Sequence, residues 1–147
     1  MTSPLFLLDT HAVVHYLKGN LLRLGWRTFE ALSGQRCRIV VPIFALEEIR
    51  YKFARDTGSA KREINIPPTP CLKVLLTRSN VRVLPRGPTV LAEEFRMRTP
   101  KPIIDVQDIP IAAAALAVRK RCDILYFVTS DQTLRSWAVQ NGILILP

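Results

Sequence analysis

The chain has 147 residues, enough for a single domain over 1–147, and 48% of them are apolar, which excludes intrinsic disorder. Its net charge of +9, from 21 Lys and Arg against 12 Asp and Glu, points to a polyanionic partner, RNA or DNA first, with a basic surface that serves only solubility as the alternative. The longest apolar run, 109–118 with Pro110 inside it, is too short to span a bilayer, and Asp9, His11 and His15 interrupt an apolar start that no Lys or Arg precedes, so no membrane span or secretory leader is expected and the chain is assigned to the cytoplasm.

Residues 5–8 are four consecutive large apolar residues ending at Asp9, the pattern of a short strand buried on both faces. A helix over 10–17 follows, stopped by Gly19-Asn20, and a second helix over 21–32 carries Leu22, Trp26, Phe29 and Leu32 at helical spacing. Residues 38–41 read as a β-branched strand, and Pro42 as the opening of a helix that runs out near Thr57-Gly58. The proline-rich stretch 58–70 reads as a loop. A helix over 71–78, a strand over 81–84, a turn at 85–88, a helix over 89–97 and a loop at 99–102 come next. The alanine-rich stretch 108–121 is the clearest helix, with Pro110 tolerated in its first turn. A strand over 124–128, a helix over 132–140 closed by Asn141-Gly142, and a strand over 143–146 complete the chain. Strands alternating with helices imply a parallel sheet covered on both faces. In such sheets ligands bind outside the carboxyl ends of the strands.

Acidic residues gather at that rim. Asp9 and Asp131 each lie within three residues of a strand's carboxyl end, and Glu48 lies on the second turn of the helix leaving the strand at 38–41. Asp105 and Asp108 stand three apart at a helix start, so they share a face. Taken singly, each acid has a plain explanation: Asp105 and Glu47 as solvated surface charges, Asp131 as the N-cap of the helix at 132–140. Taken together they are costly, since two unit charges about 4 Å apart repel by roughly 4 kcal/mol at an effective dielectric of 20. Either some protonate or a cation sits among them. Oxygen-only ligands select a hard ion, Mg²⁺ or Mn²⁺, which beside a phosphate acidifies water and steadies the attacking and leaving oxygens.

The segments Leu7-Leu8-Asp9-Thr10-His11-Ala12, Glu48-Ile49-Arg50-Tyr51, Asp105-Val106-Gln107-Asp108 leading into Ile111-Ala112-Ala113-Ala114, and Val128-Thr129-Ser130-Asp131 resemble, in that order, the motifs of PIN-domain ribonucleases, and most of all the VapC-type toxins of prokaryotic toxin–antitoxin pairs. The resemblance covers essentially the whole chain. It implies a three-layer α/β/α fold around a five-stranded parallel sheet of order 3-2-1-4-5. It also implies a metal site of Asp9, Glu48, Asp108 and Asp131, with Asp105 as an accessory acid and the Thr129 hydroxyl supporting the last aspartate. The activity implied is metal-dependent hydrolysis of RNA phosphodiesters, by a homodimer whose cleft a cognate antitoxin blocks. Glu47 competes with Glu48, which is preferred because the family places an aromatic three residues on, where Tyr51 stands.

Other candidates carry less. His11 and His15 are four apart on a helix, but Ala12 stands where the zincin pattern needs Glu, so a structural or partly exposed role is expected. The cations Arg119-Lys120-Arg121 suit either a helix C-terminus or RNA phosphates, and Lys52, Arg55, Lys61 and Arg62 either a solvated face or a backbone path. Trp26 and Trp137 read as core or interface. Cys37, Cys71 and Cys122 lack the spacing of a disulfide framework or a zinc cluster. Two alternatives to the nuclease stand beside it: a catalytically inert PIN-fold module that binds RNA or protein, and a carboxylate-metal phosphatase, which would need an aspartate where His11 stands.

Overall fold

The computed structural model describes residues 4–19, 21–34, 36–55, 68–100 and 103–145. Most of the loop expected at 58–70, with Lys61 and Arg62, lies outside the described residues, as do the side chains of Trp26, Tyr51, Lys52, Arg55 and Cys71. Strand β1, Leu5–Leu8, is buried along its whole length and lies in the middle of the sheet. It pairs in parallel with β2, Arg38–Pro42, on one side and with β4, Leu125–Val128, on the other. Strand β3, Val81–Leu84, adds to β2, and β5, Leu144–Ile145, adds to β4. The order is therefore β3-β2-β1-β4-β5, all parallel, as the family resemblance implied.

Parallel pairing demands crossovers, and helices supply them. Helices α1 (Thr10–Lys18), α2 (Leu21–Leu24) and α3 (Trp26–Ser33) link β1 to β2. Helices α4 (Ile43–Arg55) and α5 (Pro68–Leu76) lie between β2 and β3, α6 (Pro88–Arg98) and α7 (Ile109–Arg119) between β3 and β4, and α8 (Gln132–Gln140) between β4 and β5. The core is built from Leu7, Leu8, Val13, Ile39, Val41, Ile109 and Phe127, with Trp137 buried beside it. Ala112 to Ala115 of α7 are fully buried, and small side chains there let α7 lie close against α6 and the sheet.

Several boundaries differ from the sequence reading for identifiable reasons. The helix expected over 21–32 is two helices, because Gly25 adopts φ 90° and ψ 141°, a conformation only glycine takes without strain. Pro42 does not open α4; it is the last residue of β2, opposite Leu84. Helix α5 begins at Pro68, inside the expected loop, since prolines in a first turn remove no helical hydrogen bond. Helix α7 starts at Ile109 rather than 108, after a 3₁₀ turn over Val106–Asp108.

Two carboxylates on α6 are buried, and both are matched by cations. Glu93 accepts from Arg96 and Lys120, and Glu94 from Arg86 at 2.8 Å, with Arg98 at 3.9 Å. Lys120 therefore ties the end of α7 to α6, and Arg119 donates to the Cys122 carbonyl at 3.3 Å, so these two of the 119–121 cations have structural partners. Of the cysteines, Cys37 is buried and Cys122 half-buried, both free thiols pushed up by burial.

Candidate metal and phosphate site

Asp9 ends β1 and its N–H donates to the Val128 carbonyl at 3.3 Å, which ties the carboxyl end of β1 to that of β4. Its side chain is 6% exposed. Oδ1 accepts the Ala12 N–H at 2.8 Å, capping α1 in the manner expected of an aspartate between a strand and a helix. Oδ2 accepts the Thr129 hydroxyl. Thr129 Oγ1 in turn accepts the Asp131 N–H at 3.2 Å, and Asp131 Oδ1 caps α8 by accepting the Leu134 N–H at 3.0 Å. Arg135 braces this loop by donating to the Thr129 carbonyl at 3.2 Å. A hydrogen-bonded chain thus runs from Asp9 through Thr129 to Asp131, across two adjacent strand ends.

The third arm comes from α4. The Thr10 hydroxyl donates to Glu48 Oε2 at 2.7 Å, so the residue next to Asp9 holds the glutamate at the same rim. The neighbouring Glu47 turns about 100° away on a helix, and its charge acts instead on Arg86. Geometry therefore separates the two glutamates. The fourth arm is the 3₁₀ turn before α7. There the Asp108 N–H donates to the Asp105 carbonyl at 2.9 Å, and the half-buried Asp108 side chain makes no capping hydrogen bond to α7. Pro110 lies in the first turn of α7, where it is accommodated.

Electrostatics link the arms. Burial pushes the Asp108 carboxyl up, and the charges of Asp131, Asp105, Asp9 and Glu48 push it further the same way. Burial also pushes Asp9 up; the Thr129 and Ala12 hydrogen bonds and the His11 charge oppose this, the Asp131 charge adds to it, and the net direction is upward. Asp108 therefore feels every other acid named from the sequence, Glu47 apart. Glu48, Asp105 and Asp131 are exposed.

The donor chemistry fits a hard divalent cation: every donor is a carboxylate oxygen, and the charged forms of Asp9 and Asp108 are disfavoured by burial and by neighbouring acids. Asp9, Glu48, Asp108 and Asp131 are the acids that would hold such an ion, with Asp105 at the margin, once their side chains draw closer together than they stand here. Each oxygen of Asp9 already accepts one hydrogen bond and retains a further lone pair. Among the described residues, no three of the His, Cys, Asp and Glu side chains stand close enough together to ligate one ion simultaneously. The His11 and His15 rings lie 6.4 Å apart, centroid to centroid, with His11 exposed. Sequence reasoning missed Thr10. Its position directly after the strand-end acid was the available signal, but its partner is 38 residues away.

No family model and no curated protein sequence matches the chain. Among solved structures it is similar to a chain of the crystal structure of VapBC2 from Rickettsia felis bound to a DNA fragment from their promoter, at 18% identity and a TM-score of 0.66, over 97% of each chain. At that identity the likeness carries the fold, a PIN-like three-layer α/β/α architecture. Among the described residues, no helix is long and apolar enough to cross a membrane.

Proposed function

We propose that this chain is a divalent-metal-dependent endoribonuclease of the VapC type, the toxin of a VapBC-like pair. The observation that carries the reading is electrostatic. The charges of Asp9, Glu48, Asp105 and Asp131, which come from four separate parts of the chain, all act on Asp108. A chain with net charge +9 has cations to spare for pairing acids, as it does at Glu93 and Glu94, yet this rim collects acids instead.

Mg²⁺ or Mn²⁺ supplies charge neutralisation at a phosphodiester and makes water more acidic. The chain's own residues do the rest. Asp9 is fixed by two donors, so its orientation is set before substrate arrives. Thr10 holds Glu48, and Thr129 couples Asp9 to the backbone of Asp131. Burial and the neighbouring acids disfavour the charged form of Asp108, a cost that a bound divalent cation would relieve. The basic surface favours a nucleic acid strand through its phosphates. Homodimerisation, an antitoxin partner and a cytoplasmic setting belong to the same reading.

A second reading has its own support. The acids do not form a ready ligand cage among the described residues, as in a PIN-fold module that binds RNA or protein without cutting it. One experiment separates the two. Structured RNA is incubated with the protein in Mg²⁺, in Mn²⁺ and in chelator, beside Asp9→Asn. Metal-dependent cleavage that the variant loses supports the nuclease. Tight RNA binding without cleavage, equal in both proteins, overturns it in favour of the module.

A further inference from the structure

A cavity of about 160 Å³ opens beside the acidic rim and shares Thr129 with it. One face of Thr129 supports Asp9; the same residue lines the cavity between α1, the α2–α3 corner and the loop after β4. The walls are apolar at Ala12, Leu24 and Val128, and polar at His15, Thr28 and Arg135. Leu22, fully exposed, stands at its mouth. None of the acids named above lines it.

These features have a chemical counterpart. A nucleobase is a flat body with apolar faces and a polar edge, and proteins that act on single strands receive such bases in pockets of mixed lining. The size narrows the choice. A cavity of about 150 Å³ is known to take a benzene ring, so this one matches a single six-membered ring and is small for a fused purine. Thr129 both lines the cavity and donates to Asp9, so the cavity and the acidic rim adjoin at one residue. The bend that shapes the cavity is not incidental, because Gly25, whose φ of 90° breaks the helix there, also lines it.

We infer that this cavity is a base-binding subsite, selective for a pyrimidine next to the scissile phosphate. This inference rests on the nuclease reading for the word "scissile", but not for the binding itself. Leu24→Phe reduces the cavity without touching an acid, and Leu22→Ala removes only an exposed wall at the mouth. The first measurement is ligand binding to the protein in chelator, with UMP, CMP, AMP and GMP as probes, followed by methyl chemical shifts of Ala12, Leu24 and Val128. The expected result is saturable shifts with UMP and CMP, weaker with the purine nucleotides, and abolished in Leu24→Phe with its thermal midpoint checked. The second is cleavage of short RNAs that carry a pyrimidine or a purine at each flanking position. The parent should prefer a pyrimidine on one side, and Leu24→Phe should reduce that preference about tenfold. Leu22→Ala should weaken nucleotide binding and leave the unfolding midpoint unchanged. Equal shifts with all four nucleotides, no shifts at these methyls, or a cleavage pattern that Leu24→Phe leaves unaltered would overturn the subsite. Specific pyrimidine binding with no cleavage of any RNA would instead retain the subsite and remove the nuclease reading.

Discussion

Asp9→Asn should make the fold more stable while abolishing metal-dependent activity. The carboxyl of Asp9 is raised above its ordinary 3.8, chiefly by burial. A raised folded-state pKa means that the charged group destabilises the native state at every pH above that value. The penalty fades as pH falls through the folded pKa and is absent below the unfolded one. Asparagine removes the charge and keeps the shape. Its carbonyl still caps α1 at the Ala12 N–H, since Asn and Asp are equivalent caps, and its amide can donate to Thr129 Oγ1. Trading two charge-assisted hydrogen bonds for neutral ones gives up about 1 kcal/mol each, and the upward pKa requires the relief of the buried charge to exceed that loss. A net gain of about 0.5–2 kcal/mol follows, or roughly 2–6 °C in Tm for a chain of this size. The assay is urea unfolding in chelator at pH 7.5 and at pH 4.5. The gap between variant and parent should be largest at pH 7.5 and shrink as pH falls. Asp9→Ala, which loses the cap, should fall below Asp9→Asn by about 0.5–2 kcal/mol. An Asn variant less stable than the parent at pH 7.5, or a gap that widens toward low pH, refutes the reasoning.

Three further outcomes are expected. Thr10→Val frees Glu48 from its 2.7 Å hydrogen bond and should weaken Mn²⁺ binding, measured by calorimetry, by about 10–100-fold, the usual range for a residue that orients a ligand. Arg96→Met combined with Lys120→Met strips Glu93 of both cations and should cost about 3–5 kcal/mol in urea unfolding. Each single change should cost much less, because the other cation remains. Gly25→Ala forces a side chain into φ 90° and should cost about 1–3 kcal/mol by the same assay.

The strand positions and the acidic rim could be read from local sequence patterns, whereas the strand order came with the family resemblance, since which strands pair is set by tertiary packing. Leu5 to Leu8 is apolar on both faces and stops at a carboxylate; Leu125 to Val128 does the same three residues before Asp131. Where tertiary context sets the outcome, the sequence was silent. Pro42 looks like a helix opener and is a strand end, because β3 lies beside it on the sheet. Leu22 to Leu32 has helical spacing throughout, and only the backbone at Gly25 reveals the break that shapes the cavity. The Thr10–Glu48 hydrogen bond depends on how α4 is rotated about its axis, which no local motif encodes.

The treatment of buried acids is what distinguishes the rim from the rest of the molecule. Three acids are buried among the described residues: Asp9, Glu93 and Glu94. Glu93 and Glu94 each have Lys or Arg partners within salt-bridge distance, the usual solution for a carboxylate whose role is to hold helices together. Asp9 takes its hydrogen bonds from a hydroxyl and a backbone N–H, donors that orient it without neutralising it. A guanidinium in the same place would satisfy the charge permanently and exclude any ion. Neutral donors leave the charge available. With Asp108 and Asp131 electrostatically coupled to it, the rim carries a negative field inside a basic chain. A divalent cation would relieve that field, and the chain's net positive charge would favour a polyanion. The stability expected from Asp9→Asn measures this cost directly, because burial disfavours the same charge that the proposed chemistry requires.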